Sequence, residues 1–405
     1  MIYKDIVIIG GGASGMMCAI KAKEKNPDKS VVILEKQDRI GRKLLSTGNG
    51  RCNLCNEKPL KKDYHGSFAR YYDVVANNMP AKKVLSEFSK NGLLTKTESE
   101  GRVYPISNHA SSVLDVLRYR LENLNVEIIC NTSVQNIKKN SKNFDINTDT
   151  ETYSANKVVI ATGSLSAPKL GGNDSGLNIL QKLGHSVNRF YPALSPINVK
   201  NNILNTLKGL RVQGKVSLFN EDKLVKEEYG EIQFTEKALS GICVFNLSTY
   251  LPGINKPTLR INLLPHYTKN SIIEIINKNK NLFKDRTLDD LFTGIFQKKL
   301  GIAILKIAGI APLSRKNSSL SEKEINKISD IINNWEFTVD KNNDFNKSQA
   351  ACGGVVGNEI DANSMESKIV KNLYICGECV DIVGNCGGYN LYFAFASGII
   401  AGEDL

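Results

Sequence analysis

The chain has 405 residues, of which 41% are hydrophobic and 23% are charged, and its net charge is +12. These values are typical of a globular protein with a large core and two or three domains. No window approaches the roughly 18 uninterrupted apolar residues of a membrane span, and residues 1–5 lack the basic segment of a signal peptide, so we expect a cytoplasmic protein without a membrane partner.

The first 35 residues predict a βαβ unit that binds a dinucleotide. Three elements are expected there: a strand over 5–9, a helix over 13–25 and a strand over 30–34. The motif Gly10-x-Gly12-x-x-Gly15 joins the first strand to the helix, and Glu35 ends the second strand. A glycine motif alone is weak evidence for dinucleotide binding. Here the strand, the helix and the acidic residue together complete the dinucleotide-binding fingerprint.

Each residue of this motif has a physical role in holding a pyrophosphate. Gly10 permits the tight turn, Gly12 lets the phosphates approach the backbone, and Gly15 lets helix and strand pack closely. The helix N-terminus offers free N–H groups and partial positive charge to the phosphates. Glu35 is expected to accept hydrogen bonds from the ribose hydroxyls of an adenosine.

The rest of the chain predicts one α/β domain that is interrupted by an insertion. Residues 36–56 form a loop, and a helix begins near Ser111. Further strands of the α/β domain are predicted over 125–130, 133–138, 143–147 and 157–163. Residues 197–265 contain short alternating runs, such as 212–219 and 258–262, which indicate a small β domain. Residues 268–335 have helical spacing, interrupted by Gly301 and Gly309.

The C-terminal residues decide which dinucleotide is expected. Glu378 follows a strand over 373–376, where a flavoprotein needs a polar side chain near the ribityl chain and the pyrophosphate. A helix from about Asn390 would direct its positive end at the pyrimidine edge of a flavin and stabilise the anionic reduced form. The chain has no second Gly-x-Gly-x-x-Gly motif, so NADH or NADPH would visit only as a transient electron donor. The predicted cofactor is FAD.

The positive charge is concentrated in residues 36–96, which hold 13 Lys and Arg against 5 Asp and Glu, a net charge of +8. One interpretation is a solvated surface that also neutralises a pyrophosphate. The other is a binding site for a polyanion such as RNA. Lys and Arg contacts to its phosphates release counterions, and this release increases the binding affinity. Residues 63–72 interleave aromatic and basic side chains, which suits either base stacking or a helix with its aromatic side packed inward.

Five motifs together identify a family: 41–53, 101–105, 230–235, 239–241 and 377–390. In this combination the chain resembles the BaiN/YhiN-like flavoproteins, also called aminoacetone-oxidase-like, over essentially its full length. The resemblance implies an α/β fold of the glutathione-reductase type, in which a Rossmann-like FAD-binding domain carries an inserted β-barrel with a small helical insert. The implied bounds are 1–192 and 346–405 for the FAD-binding domain, 193–266 and 310–345 for the barrel, and 267–309 for the helical insert.

The resemblance also assigns residues to the site. Those expected to bind FAD are Gly10, Gly12, Ala13, Ser14, Gly15, Glu35, Lys36, Arg42, Lys43, Gly48, Asn49, Gly50, Arg51, Cys52, Ala161, Thr162, Gly163, Gly377, Glu378, Asp381, Gly387, Gly388, Tyr389, Asn390 and Leu391. Those expected at the reacting face are Cys52, Asn53 and Asn49. Cys52 is interpreted either as a general acid or as a packed small residue, and Cys386 is open to the same two interpretations.

The nine cysteines, an odd number, indicate reduced thiols rather than a disulfide framework. Two Cys-x-x-Cys pairs, Cys52/Cys55 and Cys376/Cys379, raise the question of zinc binding or a thiol relay. Each pair lies inside a flavin motif, and the four histidines have no metal-ligand spacing. No metal site is therefore predicted.

The expected reaction is hydride transfer from reduced flavin to an activated C=C bond, with an NAD(P)H-dependent reductase as the enzyme class. The resemblance offers three substrate classes: uridine in large-subunit (23S) ribosomal RNA, which gives dihydrouridine, a steroid-like enone, and aminoacetone or another amine. The basic segment favours RNA. An oxidase predicts a small enclosed pocket, whereas a non-catalytic, flavin-regulated RNA-binding factor predicts RNA binding without turnover. The sequence leaves the oligomeric state open.

Overall fold

A computed structural model describes residues 1–201, 203–341 and 344–405. Within these ranges the chain forms twenty strands: β1 (Ile2–Ile9), β2 (Val31–Leu34), β3 (Cys55–Asn56), β4 (Tyr64–His65), β5 (Thr95–Thr97), β6 (Arg102–Pro105), β7 (Glu127–Ile129), β8 (Val134–Lys139), β9 (Phe144–Thr148), β10 (Thr152–Ile160), β11 (Val187–Ala193), β12 (Ile197–Lys200), β13 (Arg211–Asn220), β14 (Lys223–Phe234), β15 (Ala238–Ser240), β16 (Pro257–Asn262), β17 (Trp335–Val339), β18 (Ala350–Val355), β19 (Leu373–Ile375) and β20 (Val383–Gly384).

The same ranges contain eleven α-helices: α1 (Ala13–Lys25), α2 (Tyr72–Asn78), α3 (Ala81–Lys90), α4 (Ala110–Asn123), α5 (Ser175–Lys182), α6 (Leu204–Leu207), α7 (Ile242–Ser248), α8 (Lys269–Leu282), α9 (Lys298–Ile307), α10 (Glu322–Asn333) and α11 (Tyr389–Asp404). Among the helices described, none combines the length and the apolar character needed to cross a membrane.

The chain divides into two compact units. The first unit is built from both ends of the chain, residues 1–193 and 344–405, and the second from the residues between them. In the first unit β11 and β18 pair antiparallel, with Ala193 opposite Ala350. The chain therefore leaves the first unit and returns to it at the same end of one strand pair.

A seven-stranded sheet organises the first unit, in the order β7-β2-β1-β10-β9-β8, with β19 also paired to β10. The strands β7, β2, β1, β10 and β19 are parallel, whereas β9 and β8 are antiparallel neighbours. The long strand β10 pairs with β9 through its first half and with β19 through its last three residues. The carboxyl ends of five parallel strands therefore meet at one edge, where open α/β sheets bind their ligands.

Helices α1 and α11, from opposite ends of the chain, lie in backbone contact. A Cβ atom on Gly398 would lie 2.3 Å from the carbonyl oxygen of Ser14, and one on Gly402 would lie 2.5 Å from that of Cys18. Only glycine permits this approach. Because both contacts advance in the same direction along the chain, the helices are parallel, and α11 begins about eight residues, or roughly 12 Å, ahead of α1.

Three of the four aromatic side chains of segment 63–72 face inward and pack near α11. The rings of Tyr64 and Tyr72 stack with centroids 4.4 Å apart, and Phe68 lies 5.8 Å from Phe393 of α11. All four of these side chains are buried, so these rings are not available to stack on RNA bases. The helix expected over the segment is wrong: the segment contains strand β4 and a 3-10 turn, and α2 begins only at its last residue.

The second unit contains a closed six-stranded barrel in the order β12-β15-β14-β13-β16-β17, and the predicted inserted barrel is confirmed. Burial alternates along β16 and β17, as expected when one strand face lies inside a barrel. Trp335 packs between Phe234 and Phe337, at centroid distances of 5.6 and 4.8 Å. Five of the described α-helices, α6 to α10, lie in the second unit with the barrel. The last of them lies within the stretch 310–345 that the resemblance assigned to the barrel.

Two local expectations are wrong. Gly301 lies inside α9 and does not interrupt it. Phe292 packs so closely against this position that a Cβ atom on Gly301 would lie 2.8 Å from its ring, so the glycine is needed for packing and does not end the helix. The strand expected over 157–163 begins at Thr152 and ends at Ile160. The first half of this strand is polar and pairs with β9. The sequence pattern missed it because only the second half has a continuous apolar run.

We predict that Phe337→Ala lowers the free energy of unfolding of the barrel by about 3–5 kcal/mol, because it removes a fully buried ring and leaves a cavity. Trp335 is the single tryptophan of the chain, so its fluorescence during urea titration follows the second unit. Glu336→Ala is the control: this half-exposed side chain pairs with Arg260, and its loss costs about 1 kcal/mol or less. Equal effects of the two substitutions would contradict the packing described.

Candidate functional site

An open cleft of about 1240 Å³ lies at the carboxyl edge of the parallel sheet in the first unit. It is lined by the ends of β1, β2 and β10, by the basic loop after β2, and by the first turn of α11. The predicted FAD-binding residues that line it are Gly10, Gly12, Ala13, Ser14, Glu35, Lys36, Arg42, Lys43, Ala161, Thr162, Gly163, Glu378, Asn390 and Leu391. The structure thus brings together residues that are up to 381 positions apart in sequence.

The three glycines of the first turn have different surroundings. A Cβ atom on Gly10, where φ is +106°, would lie 2.4 Å from the carbonyl oxygen of Ala161, and one on Gly15 would lie 2.0 Å from that of Gly10. A Cβ atom on Gly12 would meet no atom within 4 Å. Gly10 and Gly15 are therefore required by the fold, whereas Gly12 leaves space in the cleft at the N-terminus of α1. Within the described parts of the chain, no side chain caps this helix start.

Glu35 is held in position by two backbone groups. Its Oε2 accepts a hydrogen bond from the N–H of Gly11 at 2.7 Å, and its Oε1 accepts one from the N–H of Gln37 at 2.8 Å. The carboxylate is therefore fixed beside the glycine turn. Each oxygen keeps a further lone pair for a ligand hydroxyl, because a carboxylate oxygen can accept two hydrogen bonds.

An ion pair joins the basic loop to the C-terminal motif. The Nζ of Lys43 lies 2.7 Å from Oε2 of Glu378, and it also donates to Ser166. Ser164 donates to the same carboxylate oxygen at 3.1 Å and lies 2.8 Å from Ser166. Both members of the ion pair line the cleft and are about three-quarters buried, so the pair places a fixed positive and negative charge side by side at the edge of the sheet.

The first turn of α11 also lines the cleft. The side-chain amide of Asn390 forms two hydrogen bonds with the backbone of Gly384: its Oδ1 accepts from the N–H at 2.8 Å, and its Nδ2 donates to the carbonyl at 2.9 Å. These two hydrogen bonds fix the start of the helix. No side chain among the described residues caps the helix at Gly388, so its first N–H groups and their partial positive charge stay available to a ligand.

The loop that follows Lys43 holds several residues in the left-handed region. Asn49 has φ +56° and lies between Gly48 and Gly50, which are also left-handed, and Cys52, two residues further on, has φ +60°. Side chains other than glycine reach this region only at a cost in energy, and such positions cluster at functional sites. Asn53 carries a buried Oδ1 that has no hydrogen-bond partner among the residues that the structure describes. This oxygen lies beside Gly388 at the start of α11. A ligand donor would satisfy this oxygen.

The remaining predicted residues lie outside the cleft lining described above: Gly15, Gly48, Asn49, Gly50, Arg51, Cys52, Asn53, Gly377, Asp381, Gly387, Gly388 and Tyr389. Arg51 lies 4.0 Å above the ring of Tyr104 and donates to Asn108 at 2.7 Å. Asp381 is buried and accepts hydrogen bonds from the N–H of Ser67 and from Nδ2 of Asn188. Its contacts hold the loop at 66–68 in place.

Sequence reasoning missed several lining residues. Among them are Gly11, Gln37, Thr132, Ser164, Asn173 and Gln349. Thr132 and Ser164 lie three and four residues after the ends of β7 and β10, and the carboxyl ends of parallel strands were a usable signal for them. No pattern in the sequence marks Gln349.

The cysteines of both Cys-x-x-Cys pairs are buried. Burial raises the pKa of the Cys52, Cys55 and Cys379 thiols to about 12 in each case, so these thiols stay protonated near neutral pH. The sulfur of Cys379 lies 3.1 Å from Oγ1 of Thr162. Within the part of the chain that the structure describes, no three His, Cys, Asp or Glu side chains are placed to hold a metal ion.

These features fit FAD. The space at Gly12 and the uncapped start of α1 suit a pyrophosphate, and the fixed Glu35 carboxylate suits a ribose. Some 12 Å further along, the uncapped start of α11 and the unpaired Asn53 oxygen suit the polar edge of an isoalloxazine ring. The two parallel helices thus present two positive ends, offset in the direction in which an extended dinucleotide would lie.

We predict that Gly12→Val yields a folded protein without flavin, because the new side chain occupies only space in the cleft. The unfolding midpoint of the flavin-free protein should match that of flavin-free wild type, while the flavin-to-protein ratio after purification falls close to zero. Gly10→Ala is the contrasting variant, since its Cβ meets the Ala161 carbonyl and should lower the unfolding midpoint itself. A fully loaded, yellow Gly12→Val protein would refute the cofactor assignment.

Comparison with known proteins agrees with this geometry. Residues 4–404 match the HI0933-like protein Rossmann domain. The chain is 34% identical to a 3-dehydro-bile acid delta(4,6)-reductase of Clostridium scindens over 98% of both chains. It is 26% identical to a ribosomal RNA dihydrouridine synthase of Escherichia coli over 99% of this chain and 98% of that one.

The fold is also similar to that of a 3-ketosteroid-delta4-(5alpha)-dehydrogenase from Rhodococcus jostii, with a TM-score of 0.50 and 15% identity over 100% of this chain and 96% of that one. The likeness supports the two-part architecture. The family and the fold class expected from the motifs are both confirmed. The chain belongs to the HI0933-like family of FAD-binding Rossmann proteins.

Proposed function

We propose that this FAD-dependent oxidoreductase reduces a C=C bond conjugated to a carbonyl group, and that its substrate is uridine in large-subunit ribosomal RNA. Of two relatives that match over their full length, one is named a 3-dehydro-bile acid delta(4,6)-reductase and the other a ribosomal RNA dihydrouridine synthase. A 3-keto steroid enone and the uracil ring both contain a C=C bond conjugated to a carbonyl. The proposal therefore assigns one chemistry to the family and uses this chain's own surface to choose the substrate.

The reduction adds one hydride to the β-carbon of the conjugated bond and one proton to the α-carbon. Bound FAD, when reduced by NADH or NADPH, supplies the hydride. The chain's part is to hold the cofactor by Gly12, Glu35 and the starts of α1 and α11, and to provide the proton. Cys52 is the proposed proton donor. Its thiol is buried behind the cleft lining, but it is protonated and lies next to Asn53, whose Oδ1 is close to the start of α11.

The observation that carries the RNA assignment is an exposed basic face formed by Lys58, Lys61, Lys62 and Arg70. Lys61 donates to the carbonyl of Arg70 at 3.2 Å and also pairs with Asp73 at 3.4 Å. The hydroxyl of Tyr64 in the same segment donates to the carbonyl of Tyr389 at 2.9 Å, at the start of α11, and the next two residues of that helix line the cleft. Exposed cations gain phosphate contacts with RNA but gain nothing from a neutral small molecule.

A steroid-like enone is the second candidate substrate, and the observation that favours it is the 34% identity to the bile acid reductase. An amine oxidase would oxidise a small amine, and its reduced flavin would react rapidly with oxygen. A non-catalytic RNA-binding factor would bind RNA without changing uridine. These alternatives give different results in the experiment that follows.

We predict that deleting the gene lowers dihydrouridine in large-subunit ribosomal RNA, measured by mass spectrometry of digested RNA. Wild type should restore the level, and Gly12→Val should not. The triple variant Lys58→Gln, Lys62→Gln, Arg70→Gln should restore it poorly, because three phosphate contacts are lost. A matched control with three exposed lysines elsewhere in the first unit, Lys138, Lys142 and Lys182, replaced by Gln should restore it fully.

An unchanged dihydrouridine level in the deletion strain would contradict the RNA assignment, and enone reduction by the purified protein would then identify the second candidate. A level restored by Gly12→Val would contradict the flavin chemistry and support an RNA-binding factor.

We predict that Cys52→Ala keeps its FAD and reduces substrate at least about 100-fold more slowly, the usual effect of removing a general acid. Alanine keeps the Cβ atom, so the strained backbone at position 52 is unchanged. With a pKa of about 12 against about 8.5 for a free thiol, the wild-type thiol stays protonated up to pH 9, and its contribution should be constant from pH 6 to 9. Cys55→Ala, which removes a similarly buried thiol, should turn over normally. Unchanged turnover in Cys52→Ala would remove Cys52 from the mechanism.

A further inference from the structure

A second groove, of about 1020 Å³, lies entirely within the second unit. One side is the start of β13 and the facing part of β14, where Gly214 and Gly230 are directly paired. The other side is formed by segments 263–267 and 295–300. None of its residues belongs to the FAD cleft, so the proposed chemistry leaves this groove unexplained.

Two tyrosine rings border the groove and face solvent. Tyr229 is 61% exposed and Tyr267 is 49% exposed, so both rings are accessible to a ligand. Exposed aromatic rings on a rigid surface provide faces on which nucleobases stack, and such stacking accepts any base. Tyr229 lies on a barrel strand opposite Lys215, so its backbone is fixed by the ladder.

The same groove offers hydrogen-bond donors and positive charge. Arg211, Gln213, His266 and Gln297 line it and are exposed. Arg211 pairs with Glu231 at 3.0 Å, but both side chains are largely exposed, and an exposed pair of this kind contributes little stability. The guanidinium can therefore exchange its partner for a phosphate. Residues 194–343 hold 22 Lys and Arg against 15 Asp and Glu, a net charge of +7.

We infer that this groove binds unpaired RNA nucleotides, with bases stacked on Tyr229 and Tyr267 and the backbone held by Arg211. The inference deepens the proposed function, on which it rests, by assigning the second unit a part in recognising the RNA. The groove also has an apolar wall, formed by Val212, Leu263, Leu264, Pro265, Ile295, Phe296 and Leu300. The tyrosine, arginine, histidine and glutamine side chains beside this wall favour a nucleotide, which needs both a stacking surface and donors for its phosphates.

The test uses the full-length, FAD-loaded protein and a fluorescein-labelled, unstructured 10-nucleotide oligouridine, with binding followed by fluorescence anisotropy. Tyr229→Leu and Tyr267→Leu should each weaken binding about tenfold, which is about 1.4 kcal/mol. Tyr229→Phe and Tyr267→Phe should bind like wild type, because the ring is kept. Tyr119→Leu is the control: this tyrosine of α4 is 64% exposed and lies in the first unit.

Flavin content and the thermal unfolding midpoint are measured for every variant, so that a folding defect is recognised. Wild-type affinity in both leucine variants overturns the inference, even if dihydrouridine depends on the gene as proposed. Tenfold losses in a protein whose deletion leaves dihydrouridine unchanged support the groove and overturn the proposed substrate. Failure of the wild type to bind the oligouridine at physiological salt overturns the inference as well.

Discussion

The backbone contact between α1 and α11 is the constraint on which the rest of the structure depends. Gly398 and Gly402 allow the two helices to lie parallel at a separation that any side chain would prevent. The contact fixes how far α11 extends beyond α1. It therefore sets the distance between two uncapped helix starts, one at the glycine turn of β1 and the other near the strained loop. An extended dinucleotide needs such an arrangement, with positive ends at its pyrophosphate and at its ring.

Much of the fold could be predicted, because local pattern and final structure agree there. The strand, glycine turn and helix at 5–25 have the expected periodicity, and the alternating runs at 212–219 and 258–262 became barrel strands. The sequence could not reveal contacts that depend on the chain's path. The ion pair of Lys43 with Glu378 joins residues 335 positions apart, and neither side chain carries a signal of the other.

The same limit applies within the predicted site. The motifs marked the right segments, but they did not separate residues that line the cleft from residues that shape it. Asp381 stands in the C-terminal motif beside Glu378, yet it holds a loop in place, since its carboxylate accepts from Ser67 and Asn188. Gly398 and Gly402 lie four residues apart on one helix face, a spacing that was readable but that sequence reasoning did not use.

In the function proposed, different parts of the molecule carry the chemistry and the choice of substrate: the cleft holds the flavin, and the basic face and the tyrosine-bordered groove contact RNA. The most direct measurement is an anaerobic single turnover. Protein carrying reduced flavin is mixed with large-subunit ribosomal RNA from a strain lacking the gene, and flavin absorbance and dihydrouridine are followed together. The account predicts one dihydrouridine for each flavin reoxidised. Flavin that stays reduced with RNA but is reoxidised by a 3-keto steroid enone would contradict it.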